Sequence, residues 1–193
     1  MKSVAVVLAA VLLMGASVNP TRAQADAFQK KLARIVQLGE VKRDRAEQTP
    51  ISELELNSYL RFSAGDRLPV GVTEPSIGIQ NQGRLSGRAV VDLDVIRKKR
   101  SSGGWFDPLS YLTGQLPLTA VGVLTTDAGR GKFALETAAV SGIPIPKSFL
   151  QEIVSYYTRT PDFPQGINID DPFDLPAEIQ RIDVTQGRAV IHQ

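Results

Sequence analysis

Cysteine is absent from the 193-residue chain, histidine and tryptophan occur once each, and methionine occurs twice. Without cysteine there is no disulfide, no thiolate metal ligand, no thiol nucleophile, no redox function and no residue to carry a lipoprotein anchor. The single histidine, His192, stands beside the last residue. A Ser-His-Asp triad or an imidazole metal site would have to rest on a chain end. No phosphate-binding loop, dinucleotide fingerprint or G-x-S-x-G elbow is written anywhere in the sequence. The expectation is a protein that is not an enzyme and carries no cofactor and no metal.

Long apolar runs are also scarce. The one at the start, Val4 to Met14, follows the lone cation Lys2 and leads into small and polar residues ending in Ala23-Gln24-Ala25. This order matches the charged, apolar and A-x-A regions of a secretory signal. A spanning helix needs roughly 20 apolar residues, about twice what the run offers. A signal peptide over residues 1–25 is therefore expected, leaving a single domain over 26–193 with a periplasmic or secreted location. The 22 basic residues of the chain fall to 20 when Lys2 and Arg22 are set aside, equal to the 20 acids. A near-neutral mature chain argues against nucleic acid as a partner.

The hydrophobic period places the elements. Phe28, Leu32 and Ile35 recur at helical spacing with Gly39 as a stop, which predicts a helix over 26–38. After the charged stretch from Glu40 to Gln48, Ser52 and Glu55 form an S-x-x-E capping box, with Ile51 and Leu56 as its hydrophobic staple. That box starts a helix ending near Phe62, with Leu56, Tyr59 and Leu60 inward. From Leu85 the period is two: Leu85, Gly87, Ala89, Val91, Leu93 and Val95 alternate with polar or mixed residues through Ile96. Ile77 and Ile79 suggest a shorter strand before it, joined through Asn81-Gln82-Gly83. Leu116 to Thr125 and Lys132 to Val140 read as two further strands around an Asp127-Ala128-Gly129 turn. Pro146 suits a first helical position, and Phe149, Leu150, Ile153, Val154 and Tyr157 make an apolar stripe behind it. Four prolines between Pro161 and Pro176 mark an extended crossing segment. A hairpin of Ile182 to Val184 and Ala189 to Ile191 closes the chain.

This pattern predicts an α+β domain: a long antiparallel meander, curved at Gly87 and Gly122 and wrapped around one or two helices. Periodicity alone leaves open whether the interior is solidly packed or forms a tubular cavity.

The run Ile51-Ser52-Glu53-Leu54-Glu55-Leu56-Asn57-Ser58-Tyr59-Leu60 resembles the S-x-x-E-L-N-x-Y-L helix start of the TULIP-like group of small exported bacterial proteins, YceB-like and LmeA-like proteins among them. The resemblance continues through Gly87 to Leu93, Pro117 to Leu124 and Val140 to Leu150, and covers most of residues 50–193 in order and spacing. It implies a half-barrel with a lipid-accommodating groove. It carries no catalytic residues, and the cysteine of the YceB-like lipoproteins is absent here.

On this reading the residues expected to line an apolar cavity are Val91, Leu93, Leu118, Phe133, Leu135, Phe149, Ile153 and Tyr157. A second candidate surface is Arg97-Lys98-Lys99-Arg100 followed by Trp105-Phe106, where cations beside an indole suit an anionic membrane interface. The competing reading is a solvated turn before a short helix capped by Asp107 and Pro108. Asn168, Asp170, Asp171 and Asp174 lack the spacing of a calcium loop. Asp92 and Asp94 share the polar side of a strand, as simple alternation requires. The function expected is binding, and possible carriage between membranes, of a lipid or other apolar small molecule. The alternative is a structural or protein-interaction module of the cell envelope with a filled core.

Overall fold

Ser52 and Glu55 close on each other in both directions. The Glu55 backbone N–H donates to Ser52 Oγ (3.2 Å), and the Ser52 N–H donates to Glu55 Oε2 (2.9 Å). The helix that follows occupies Glu53–Phe62, as its local chemistry predicts. In the computed structural model, which describes residues 19–41, 45–95, 114–159 and 164–193, this helix is the second of the three α-helices that have both ends among the described residues. The side chains of Ile153, Tyr156 and Tyr157 also lie outside the description. The elements are α1 (Arg22–Glu40), β1 (Gln48–Ser52), α2 (Glu53–Phe62), β2 (Val72–Ile79), β3 (Arg84–Asp92), β4 (Gln115–Asp127), β5 (Arg130–Val140), β6 (Ile143–Pro144), α3 (Lys147–Thr158), β7 (Phe173–Asp174), β8 (Arg181–Thr185) and β9 (Arg188–His192).

The fold is α+β. Strands β2-β3-β4-β5-β6 form an antiparallel meander, with β7 added beside β5, and the sheet does not close on itself. Ala128 and Gly129 both have positive φ, the conformation that joins two right-twisted strands in a two-residue hairpin. The β5–β6 turn repeats the device at Ser141 and Gly142.

Three expectations need correction, at the first helix, at the end of β3 and at Pro146. The C-terminal hairpin forms as expected, and β8 and β9 join β1 in a separate sheet of order β1-β9-β8. β1 escaped sequence reading because Pro50 interrupts it, which an edge strand tolerates, and because its partner β9 lies far along the chain. The first helix runs Arg22–Glu40 and passes through Gly39 instead of stopping there. A Cβ on Gly39 would come within 2.5 Å of the Ala177 backbone, so this glycine serves close approach rather than termination. β3 ends at Asp92, with Leu93 beginning a helical turn, and Pro146 is the N-cap of α3 instead of its first residue.

The main core lies beneath α1, α2 and the small sheet. Phe28, Ile35, Ile51, Tyr59, Ala64, Ile179 and Ile191 form one buried cluster, joined by Leu175 and Ile182 among others. The rings of Phe28 and Tyr59 pack at 4.9 Å. α2 also guards the free edge of β2. The Asn57 amide donates to the Ile77 carbonyl and accepts from its N–H, while Glu53 accepts from the Ile79 N–H. Bare edge groups that would invite another strand are thereby satisfied.

Lys31 of α1 reaches Glu55 at 2.7 Å and the Pro50 carbonyl at 2.8 Å, tying α1, β1 and α2 together. Burial raises the Glu55 pKa, but hydrogen bonds from Lys31 and from the Ser52 N–H and hydroxyl outweigh it and hold the carboxyl below its ordinary value. The stabilisation is present above the unfolded carboxylate pKa of about 4.3 and is lost as pH falls through the lower folded value. Glu55→Gln is expected to lower stability by about 1–2 kcal/mol at pH 7. In urea titrations the gap from wild type should close toward pH 3. A gap of constant size would remove the charge from this account.

Candidate ligand-binding face

Cross-strand register shows which side chains share a face of the large sheet. Ile79 pairs with Leu85, Ile77 with Gly87 and Val72 with Val91. Across the next ladder Leu85 meets Gly122, Gly87 meets Ala120, Ala89 meets Leu118 and Val91 meets Leu116. β5 then contributes Val140, Ala138, Leu135 and Phe133 opposite Leu118, Ala120, Gly122 and Leu124. Every residue of these rows is apolar, over four adjacent strands. The other face is mixed: Arg84, Ser86, Arg88, Thr119, Thr125 and Lys132 stand beside Val90, Pro117, Val121 and Val123. The first face is thus the more uniformly apolar of the two.

The apolar face lies apart from the main core. Among the described residues, none of β2 to β5 belongs to the buried cluster. Leu85, Val91, Leu116, Leu118, Leu124, Phe133, Leu135 and Val140 are all only partly buried. At one end the face is closed. The Phe173 ring and Leu175 sit on Gly131, where a Cβ would meet Phe173 Cζ at 2.6 Å. The Thr126 hydroxyl there donates to the Ile182 carbonyl and accepts from its N–H. On the β5 side the Ile145 N–H donates to the Ala138 carbonyl, and Leu150 of α3 is buried.

The centre differs. Gly87, Ala120 and Ala138 form a row of the smallest side chains straight across β3, β4 and β5, flanked by rows carrying Leu85 and Leu135 on one side and Leu118 and Val140 on the other. A Cβ placed on Gly87 meets no described atom within 4 Å. Gly122, one row away, is the opposite case: its Cβ would strike Phe133 Cζ at 2.5 Å and the Ala134 carbonyl oxygen at 2.6 Å. A register shift between Val121 and Gly122 lets the Phe133 ring lie over that glycine. Among the described residues the face thus has one half covered by Phe133 and Phe173, while in the trough of small side chains no described atom comes within 4 Å of a Cβ added at Gly87.

The structure brings Val91, Leu118, Phe133 and Leu135 together on this face. Leu93 is buried just past β3, with its N–H bonded to the Gly114 carbonyl. Phe149 is partly buried on α3, and Ile153 and Tyr157 belong to the same helix. Arg97, Lys98, Lys99, Arg100, Trp105 and Phe106 lie outside the described residues. Sequence reading named neither Gly87 and Ala120 as trough floor nor Leu116, Val140 and Leu85 as walls. Their shared parity in the strands was the available signal.

The polar candidates have structural occupations. Asp92 Oδ1 accepts from the N–H groups of Asp94 and Val95, and Asp94 Oδ2 accepts from that of Gly114, so the pair frames the exit from β3. Asn168 bonds Asp171, and Asp170 pairs with Lys147. His192 Nε2 lies 2.7 Å from Asp183 Oδ2, an ion-pair distance without the alignment of a hydrogen bond. Among the described residues no group of three or more His, Cys, Asp or Glu side chains could hold a metal, and no helix is long and apolar enough to cross a membrane. No family model matches the chain, and no curated protein sequence matches it.

Proposed function

We propose that this chain is an exported, non-enzymatic binding protein that takes the acyl chain of a lipid into the trough over Gly87. The observation that carries the reading is that no described atom lies within 4 Å of a Cβ placed on Gly87, at the centre of a run of apolar residues across β3, β4 and β5. Leaving such a face wet costs about 25 cal/mol for each Å² of apolar surface, a cost that an acyl chain removes. The trough is floored by Gly87 and Ala120 and walled by leucines and valines, so it offers shape and dispersion but few polar contacts. It suits a methylene chain better than a polar metabolite. The resemblance to TULIP-like proteins supports the same class, with the six-stranded sheet as the half-barrel and the trough as its groove.

Extraction of protein purified without detergent, followed by lipid mass spectrometry, tests this directly. An acyl lipid recovered near one per chain is the expected result. An extract free of lipid, from protein that also fails to take up added lipid, would reject the proposal.

We also propose a place for membrane contact. Asp92 and Gln115 pair at the end of the sheet far from the β4–β5 turn, so β3 ends and β4 begins at the end opposite the closure by Phe173, and residues 96–113 lie between the two strands in sequence. Within that stretch Arg97, Lys98, Lys99 and Arg100 precede Trp105 and Phe106. Each cation contributes about 1 kcal/mol beside an anionic surface. Replacing all four with glutamine should release the protein from phosphatidylserine-containing vesicles in a sedimentation assay and leave its affinity for a soluble acyl probe unchanged. Unaltered sedimentation would return this stretch to a solvated turn.

A further inference from the structure

Three tips of the backbone meet at the end of the large sheet opposite Phe173. Before β2 the chain turns at Pro69–Val72, where the Val72 N–H donates to the Pro69 carbonyl (3.0 Å), with Val70 second in the turn and Gly71 (φ 80°) third. After β3, Leu93 to Val95 make a helical turn, and after β5 the chain turns at Ser141 and Gly142 into Ile143. Backbone bonds fix these tips to the strand ends beside them. The Asp92 N–H donates to the Gly71 carbonyl, the Leu93 N–H to the Gly114 carbonyl and the Ser141 N–H to the Pro117 carbonyl.

Tips of this kind favour glycine, proline, asparagine, aspartate and serine, which suit both the bent backbone and water. Here they present Val70 (41% exposed), Val95 (42%) and Ile143 (70%). Apolar side chains scattered singly over a surface need no explanation, but three gathered at one end of one sheet do. Directly behind them the apolar face begins, with Val72, Val91 and Leu116 in its last row and Leu118 beside Val140 in the next. Residues 69–72, 93–95, 114 and 141–143 include no cation, and their one acid, Asp94, accepts from the Gly114 N–H. Attraction at this rim is therefore apolar and not ionic.

We infer that Val70, Val95 and Ile143 insert into the acyl layer of a lipid surface. The choice of occupant rests on the acyl-binding reading: a face that takes an acyl chain from a bilayer meets that bilayer at the end where its apolar rows run out to the tips, and Phe173 closes the other end. Insertion differs in chemistry from the contact proposed for Arg97 to Arg100. Salt screens the attraction of cations to headgroups, whereas burial of aliphatic side chains persists in it.

Because the chain has no cysteine, Val70→Cys, Val95→Cys and Ile143→Cys can each be labelled at one position with the environment-sensitive fluorophore NBD. Phosphatidylcholine vesicles in high salt should shift all three emissions to the blue, while a label at Val36→Cys, exposed on α1, keeps its aqueous emission. No shift at the rim, or an equal shift at Val36, overturns the inference. As a second measurement, Val70→Ser, Val95→Ser and Ile143→Ser combined should weaken vesicle binding in high salt at least about tenfold and leave uptake of a soluble fatty-acyl probe as in wild type. Unchanged vesicle binding overturns the inference even where probe uptake is normal. Rim labels that enter vesicles on a protein taking up no probe would uphold insertion and reject the acyl-binding trough instead. Self-association that the triple substitution abolishes, without vesicle binding by wild type, would assign the rim to a second copy of the chain and overturn the lipid surface as its occupant.

Discussion

Gly122→Val is expected to be the most damaging single substitution in the large sheet. The added Cβ would lie 2.5 Å from Phe133 Cζ and 2.6 Å from the Ala134 carbonyl oxygen. The ring is a side chain and can swing, but the carbonyl belongs to the β4–β5 ladder and cannot move without breaking it. Relief therefore requires the register shift at Val121 and Gly122 to be undone, and with it the seat of the ring. The cost belongs at or above the upper end of the about 1–3 kcal/mol typical of overpacking. For a chain of this size that is a fall in Tm on the order of 10 °C. Thermal melting followed by circular dichroism measures it. A Tm within about 2 °C of wild type, less than 1 kcal/mol at this size, would mean that Phe133 does not occupy this position.

Gly87→Phe is expected to do the reverse: keep the fold and remove the binding. Gly87 lies in mid-strand without a positive φ, so its backbone accepts any residue, and a strand gains from losing a glycine. A Cβ there meets no described atom within 4 Å, and a phenyl ring would extend over Ala120 along the row of small side chains. Occupying the trough should weaken uptake of a fluorescent fatty-acyl probe at least about tenfold, or about 1.4 kcal/mol, with Tm equal to or above that of wild type. The two glycines sit on one face in adjacent rows, so their opposite outcomes test the division into filled and open halves. Loss of the fold in Gly87→Phe would show that the space is not open.

The sequence made plain what rests on near neighbours. The Ser52–Glu55 box sets α2 because cap and helix lie within four residues, and strict alternation from Leu85 to Val91 sets the apolar side of β3. It hid what depends on distant partners. β1 has five residues and a proline, and becomes a strand only because β9 returns to it, with Thr49 and Ile51 facing the core. Thr21 and Gln24 form a second capping box that could have been read from sequence, but the A-x-A motif at the same place drew them into the leader. Within the site, parity alone puts Gly87 and Gly122 on one face. That one is open and the other covered depends on Phe133, whose reach is set by the register shift between β4 and β5.

The central claim is that the apolar face of the large sheet holds an acyl chain. Titration of the delipidated protein with a fluorescent fatty-acyl probe tests it most directly, with Gly87→Phe as the matched control. The account predicts saturable uptake approaching one probe per wild-type chain, and little by the folded variant. Absence of saturable uptake by folded wild type, or equal uptake by both proteins, would contradict it and favour a filled interaction module in its place.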